Sequence, residues 1–457
     1  MIRTVFPGVA VALVLTASAA AQSASQTELQ DRHDRALAAG YKALFLCSAI
    51  AHAERNGTIR SPDSVAEWEL AGIQAPLNDI IDELGTSITR NEAGKVHAVT
   101  VAWEDDMPPR AALHDEGAGC SLRPIGFPLN AAISSDDSTT RIVFGGMSSV
   151  ETASTPPLVH PAFDRTYGDD SRTTAVILAH GDVRREFYAP GFDSRTPQRT
   201  WSVAKSIAAT LVGAAVYRGQ IEVGQSAGLG EGANDPRRTI TVDHGLRMAT
   251  GRYSDTAGNR TDPLYFGGAT VDEVAAHWPI IHTPGTMFRY ANNDTLIAVQ
   301  AIEHTFADHP PARVLATIGM TGAVAETDWQ GNYILSSQVW ATAVDLLQLG
   351  QLHLNDGVLP DGTRILPEGW VDYVSTPSGP QPEGARGWGY GAGWWLLNRS
   401  EGIPPDTFMA AGNRGQYVVV VPSRNVVIVR RGEDPAGGSG FDIEAFTRDV
   451  LAEIAPE

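Results

Sequence analysis

Ser202 and Lys205 stand three residues apart at the start of a run, Trp201 to Tyr217, that is apolar almost throughout. In a helix this spacing puts both side chains on one face, within mutual reach. A serine hydroxyl is a poor nucleophile at neutral pH. An amine in a dry pocket beside a helix N-terminus is pushed toward its neutral form and can take the hydroxyl proton. The Ser202 backbone N–H at the same helix end is then available to a developing oxyanion. Ser-x-x-Lys alone is a weak signal, and its context strengthens it. The chain has three lysines, Lys42, Lys95 and Lys205, and an ammonium buried without purpose in an apolar helix is costly because it cannot reach water.

Two later segments carry further candidates. In Tyr290-Ala291-Asn292, read as extended, residues two apart point the same way, so a phenol and a carboxamide can enter one cavity. The phenol could carry a proton to a leaving group, and the carboxamide could hold both a lysine and a substrate amide. The competing reading is a packed aromatic followed by a turn, with Asn293-Asp294 capping the next helix. In Ala410-Ala411-Gly412-Asn413-Arg414-Gly415-Gln416, small residues let strand backbone approach a ligand. An N–H there could be a second oxyanion donor, with Asn413, Gly412 and Gly415 as the candidates. An ordinary Gly-rich turn before a strand accounts for the same residues equally well.

Taken in order, Ser202-Val203-Ala204-Lys205, Tyr290-Ala291-Asn292 and the late Gly-rich motif resemble the serine hydrolases related to class C β-lactamases, among the penicillin-recognising Ser-x-x-Lys enzymes. The surrounding text, PGTMFRYANND, YGAGWW and GNRGQY, is similar to the branch containing 6-aminohexanoate-oligomer hydrolase and related esterases. The resemblance covers about Pro157 to Glu457. It implies Ser202 as acyl-enzyme nucleophile, Lys205 as base, Tyr290 as proton carrier and Asn292 as the group that orients lysine and substrate. The N–H groups of Ser202 and Asn413 would form the oxyanion hole. The third motif departs from the family pattern. Where Lys-Thr-Gly is usual, this chain has Ala410-Ala411-Gly412, which removes the cation that supports recognition of a substrate carboxylate. Arg414 and Arg289 are read as solvated arginines, with replacement of that charge as the alternative.

The elements that must position these residues follow from pattern. Thr173 to Ala179, the turn His180-Gly181-Asp182 and Val183 to Tyr188 read as a β-hairpin. Thr200 is the expected N-cap of a buried helix from Trp201 to Tyr217, stopped by Gly219. Tyr417 to Val421, the turn Pro422 to Asn425, and Val426 to Arg430 form a second hairpin, and Phe441 to Ile454 a closing helix. Ser337 to Leu354 reads as helical. Together these predict an α+β fold, an antiparallel β-sheet built from both ends of the domain and flanked by helices, with a helical insert: the β-lactamase/transpeptidase-like layout that the resemblance also implies.

Before Pro157 the chain reads as a mixed accessory region. A helix is expected from about Thr27 to Arg55, ended near Asn56-Gly57. A shorter helix should run from Ser64 to Gly72, and a strand from Val96 to Trp103. The expected organisation is a signal peptide over 1–21, the accessory region over 22–156 and the hydrolase domain over 157–457. Arg3, the apolar run from Val5 to Leu15 and Ala19-Ala20-Ala21 have the order of a cleaved secretory signal, and that run is too short to span a membrane. A periplasmic or secreted protein without stable membrane insertion is expected. The two cysteines, Cys47 and Cys120, would then meet as one disulfide; two buried thiols are the alternative.

With 457 residues, 34 Lys+Arg against 53 Asp+Glu and a net charge of −19, a phosphate-tracking surface is disfavoured and nucleic-acid partners are not expected. No Gly-x-Ser-x-Gly elbow, His-Glu-x-x-His helix or Walker lysine competes. His304 and His309 lack the spacing of a ligand pair on a helix. Trp201, Trp388, Trp394 and Trp395 could line an acyl pocket, with core packing as the default for each. The reading is a serine hydrolase acting on a small amide or ester through an acyl-enzyme, with no metal and no cofactor. The rivals are a D,D-peptidase or weak β-lactamase, and a degenerate ligand-binding or sensor module.

Overall fold

The computed structural model describes residues 9–129, 138–142, 161–254, 261–384 and 387–454, with side chains from residue 23 onward except at 138–142. Arg3, the start of the apolar run at Val5 and the boundary at Pro157 lie outside the described residues.

The first long element is the helix Val9–Arg55. It is buried from Leu37 to Ala53, and it ends where expected, with Gly57 at φ 71° and the Thr58 N–H returning to the Ala53 carbonyl. The helix packs on an antiparallel sheet of β1 (Thr86–Arg90), β2 (Val96–Val101), β3 (Arg110–Asp115), β4 (Gly119–Leu122) and β5 (Ser138–Ile142). These lie in the order β4-β3-β2-β1-β5. Cys47 on the helix is disulfide-bonded to Cys120 on β4. The apolar stretch 23–55 has the length and hydropathy of a membrane span, yet its most apolar window is buried inside this fold.

The second hairpin region builds a larger sheet. β6 (Thr173–His180) and β7 (Val183–Tyr188) come first, and β8 (Gln198–Arg199) follows. β9 (Val324–Ala325), β10 (Val339–Ala341), β11 (Gly389–Tyr390) and β12 (Trp395–Leu396) come next. β13 (Phe408–Gly412), β14 (Gln416–Val421) and β15 (Val426–Gly432) follow; β8, β10 and β9 pair as a separate three-stranded sheet, and the other seven strands make the larger one. The order β11-β12-β13-β14-β15-β6-β7 brings the two sequence-distant hairpins side by side, all neighbours antiparallel. This is the α+β architecture expected, with the insert between the hairpins largely helical.

Period-two alternation explains why strands such as YVVVV look apolar throughout. Val418, Val420, Val427 and Val429 face the layer holding the helix Val203–Tyr217, whereas Val419, Val421, Val426 and Ile428 face the closing helix Ile443–Glu453. Leu37 to Ala51 of the N-terminal helix join the first of these two clusters, and Phe45 touches Trp201 with ring centroids 5.8 Å apart.

Four local expectations need correction. The buried helix spans Val203–Tyr217, and Thr200 is not its cap. The Thr200 N–H is held by the Val339 carbonyl at 2.8 Å, which keeps Thr200 at the sheet edge. Trp201 then takes a left-handed φ of 50° to turn the chain into the helix. Ser337 to Leu354 is helical only from Ala343, because Val339–Ala341 pairs with β8 and β9. The short second helix stops at Trp68 rather than Gly72. Asn293 and Asp294 do not cap the helix Asn292–Gln300, whose N-cap is Ala291. Instead Asn293 donates to Ser254 Oγ and Asp294 pairs with Arg252 at 3.0 Å.

Candidate active site

Ser202 occupies the N-cap of the apolar helix but makes no side-chain cap bond, so its hydroxyl is free to face the first turn. Lys205 Nζ lies 3.0 Å from Ser202 Oγ. The same amine contacts Asn292 Oδ1 at 2.6 Å and the Ser336 carbonyl at 2.9 Å. Lys205 is 1% exposed, and burial pushes its amine down to about 7. Nearness to neutrality is what a proton acceptor for a hydroxyl needs.

Asn292 is fixed on its other side, its Nδ2 donating to Thr261 Oγ1 at 2.9 Å. That bond assigns the carboxamide orientation and turns Oδ1 toward the lysine. Tyr290, two residues before Asn292, places its ring with its centroid 5.0 Å from Lys205 Nζ. Burial raises the phenol to about 12, offset in part by side-chain hydrogen bonding with Ser202 and Trp395. Its ring packs near Trp395 and Tyr390, at centroid distances of 5.3 and 6.1 Å.

The third motif closes the far wall. Gly412 ends β13 so near the serine turn that a Cβ there would stand 2.4 Å from the Thr200 carbonyl oxygen and 3.2 Å from the Ser202 nitrogen. A glycine is required by that approach. Asn413 follows it into the wall of a cavity of about 430 Å³ that also takes in Ser202, Tyr290 and Asn292. Gly415 does not line this cavity. It has φ 80°, and a Cβ on it would collide with the Arg430 guanidinium behind the turn.

Of the four tryptophans, Trp201, Trp388 and Trp395 line the cavity, whereas Trp394 is core, against His353 and Phe408. Arg414 is not solvated. It is 4% exposed and ion-paired with Glu433 at 3.3 Å. Arg289 is exposed.

Several residues of the site had no local signal. Thr261 and Ser336 act through single polar atoms delivered by loops. Asp262 also lines the cavity, its carboxyl raised to about 6 by burial. Gln74 reaches the same cavity from the N-terminal region. A hydroxyl, an amine near neutrality, a half-buried phenol and the backbone N–H groups of the serine turn thus share one crevice. Such a set can transfer an acyl group.

Comparisons with known proteins identify relatives of this chain. The Beta-lactamase family model matches residues 168–431. Penicillin-binding protein 4 of Amycolatopsis lactamdurans is 35% identical over 130 residues, covering 26% of this chain and 31% of that protein's length. The 6-aminohexanoate-dimer hydrolase of Paenarthrobacter ureafaciens is 24% identical over 294 residues, 57% of this chain and 73% of that one. A solved Bacillus anthracis structure described as a 6-aminohexanoate-dimer hydrolase superposes with a TM-score of 0.53 at 22% identity, covering 63% of this chain and 79% of that chain.

Proposed function

The chain belongs to the Beta-lactamase family, and on that premise we propose that it is a serine hydrolase cleaving an amide or carboxylic ester through an acyl-enzyme on Ser202. Lys205 Nζ takes the Ser202 proton as Oγ bonds to the substrate carbonyl carbon. The backbone N–H groups of Ser202 and Asn413 hold the oxyanion, and Tyr290 relays the proton taken up by Lys205 to the departing nitrogen or oxygen, so that amine and phenol both end as they began. Asn292, held by Thr261, orients Lys205 and the substrate. Water then attacks the acyl ester, releases the acid and restores the serine hydroxyl. The observation that carries this reading is a fully buried amine, lowered to about 7, at 3.0 Å from the hydroxyl.

Ala410 in place of the usual third-motif lysine favours a short amide or ester over a β-lactam. The 24% identity to a 6-aminohexanoate-dimer hydrolase supports linear amides as the first compounds to screen, beside p-nitrophenyl esters and nitrocefin. An exported enzyme, periplasmic or secreted, is supported by the apolar N-terminal run and by the Cys47–Cys120 disulfide. The partner is a small molecule. The proposed organisation keeps an accessory region over 22–156 and the hydrolase domain over 157–457.

A fluorophosphonate probe tests the reading. Labelling of the wild type that disappears in Ser202→Ala and drops strongly in Lys205→Ala supports it, and an unlabelled folded wild type overturns it. Incubation with a penicillin addresses the relationship to penicillin-binding protein 4: a stable penicilloyl adduct on intact mass would move the assignment to a penicillin-recognising peptidase.

A further inference from the structure

Residues 68–74 lie outside the segment matched by the family, yet they are fastened to the turn that follows β13. Arg414, directly after Asn413 and at a left-handed φ of 58°, donates from Nη1 to the Glu69 carbonyl at 2.5 Å. From Nη2 it donates to the carbonyls of Trp68 at 3.0 Å and Ala71 at 2.5 Å. A guanidinium fork can span three such acceptors; an ammonium presents no comparable planar fork. The next residue, Gly72, accepts from the Ala436 N–H at 2.7 Å. Its φ of 67° and the contact of a notional Cβ with Pro435 at 3.2 Å leave little room for another residue. Two positions on, Gln74 lines the cavity that holds Ser202 and Asn413. Its carboxamide makes no hydrogen bond with other described residues.

We infer that Gln74 is a specificity-determining residue of the acyl-transfer site, and that Arg414 is the positioning residue that holds it there. The inference rests on the acyl-transfer reading and extends it to a substrate class. A carboxamide both donates and accepts, so its complement is an amide group carried by the substrate next to the scissile carbonyl, in the acyl or the leaving group. A plain alkyl ester offers no such complement.

Two substrate pairs, each differing by one amide, test this: p-nitrophenyl acetate against p-nitrophenyl N-acetylglycinate, and ethyl acetate against the acetate ester of N-methylglycolamide. In Gln74→Ala the kcat/KM ratio of amide-bearing to plain substrate falls about five- to tenfold in at least one pair, the worth of one neutral hydrogen bond. Gln74→Glu, which keeps the side-chain size, lowers the ratio as well. Arg414→Lys moves it in the same direction, and the double variant Gln74→Ala/Arg414→Lys moves it no further than the larger single change. A purely structural role for Arg414 would lower both substrates together and leave the ratio alone. Calorimetry of N-acetylglycine methylamide on Ser202→Ala, with and without Gln74→Ala, separates the two readings. A wild type that hydrolyses nothing, together with a weakened Kd in the double variant, removes the acyl-enzyme reading and retains the Gln74 contact. Unmoved ratios in both pairs with an unchanged Kd overturn the inference.

Discussion

The amine of Lys205 and the hydroxyl of Ser202 stand 3.0 Å apart at the first turn of a helix that is buried almost to its end. Three residues of sequence separation bring them to one face. The Asn292 carboxamide and the Ser336 carbonyl, 87 and 131 residues away from Lys205, then hold the amine in that position.

This pairing sets the sign of the pH dependence. Lys205 accepts a proton only when neutral, and burial places that change at about 7. The kcat/KM for a neutral ester therefore rises with pH through about 7 and levels off above it. Tyr290, raised to about 12, keeps its proton across that range. Asp262 titrates nearby, at about 6, so the profile is repeated with Asp262→Asn, in which the inflection near 7 persists. A profile that is flat from pH 5 to pH 9 (about the span over which a lysine at 7 passes from charged to neutral), or one that falls, contradicts the role of Lys205.

Tyr290→Phe keeps the ring that packs near Trp395 and Tyr390 and removes only the phenolic oxygen. Turnover falls by about 10²–10⁴-fold if that oxygen carries a proton to the leaving group. Steady-state kinetics on an amide substrate measures it, and a rate near the wild-type value reassigns the residue to packing.

Gly412 and Asn413 make opposite predictions. A methyl at 412 would stand 2.4 Å from the Thr200 carbonyl oxygen, so Gly412→Ala pushes the strand end away from the serine turn and lowers kcat by about 10²-fold or more. Asn413→Ala retains the backbone N–H and changes kcat only a few-fold. A large loss in Asn413→Ala would mean that the side chain, not the main chain, serves the reaction.

The Cys47–Cys120 bridge closes a sequence separation of 73 residues, and both sulfurs are buried. Replacing both cysteines by serine destabilises the protein by about 2–4 kcal/mol in denaturant titration. An unchanged midpoint at unchanged slope would show that the bridge does not brace the N-terminal helix against β4.

Much of this arrangement is legible in the sequence, and the reasons differ by residue. Strand alternation and the Gly181 turn announced the first hairpin, and an apolar helix with a single lysine drew attention to Lys205. Thr200 has the chemistry of a cap, but its N–H is already engaged by Val339 across the sheet, so the helix begins at Val203 and not at Trp201. Arg414 reads as solvated because it sits in a Gly-rich turn; its partners include Glu433 and carbonyls some 345 residues away in sequence. Thr261 and Gln74 carry no periodic or motif signal, since each reaches the site from a loop through one polar group.

The most direct measurement is rapid-quench mass spectrometry during hydrolysis of p-nitrophenyl acetate, followed by peptide mapping. The account predicts one acetyl group, on Ser202, formed and lost at rates compatible with turnover and absent from Ser202→Ala. Turnover by Ser202→Ala at the wild-type rate, or an acetyl group carried on another residue, would contradict it.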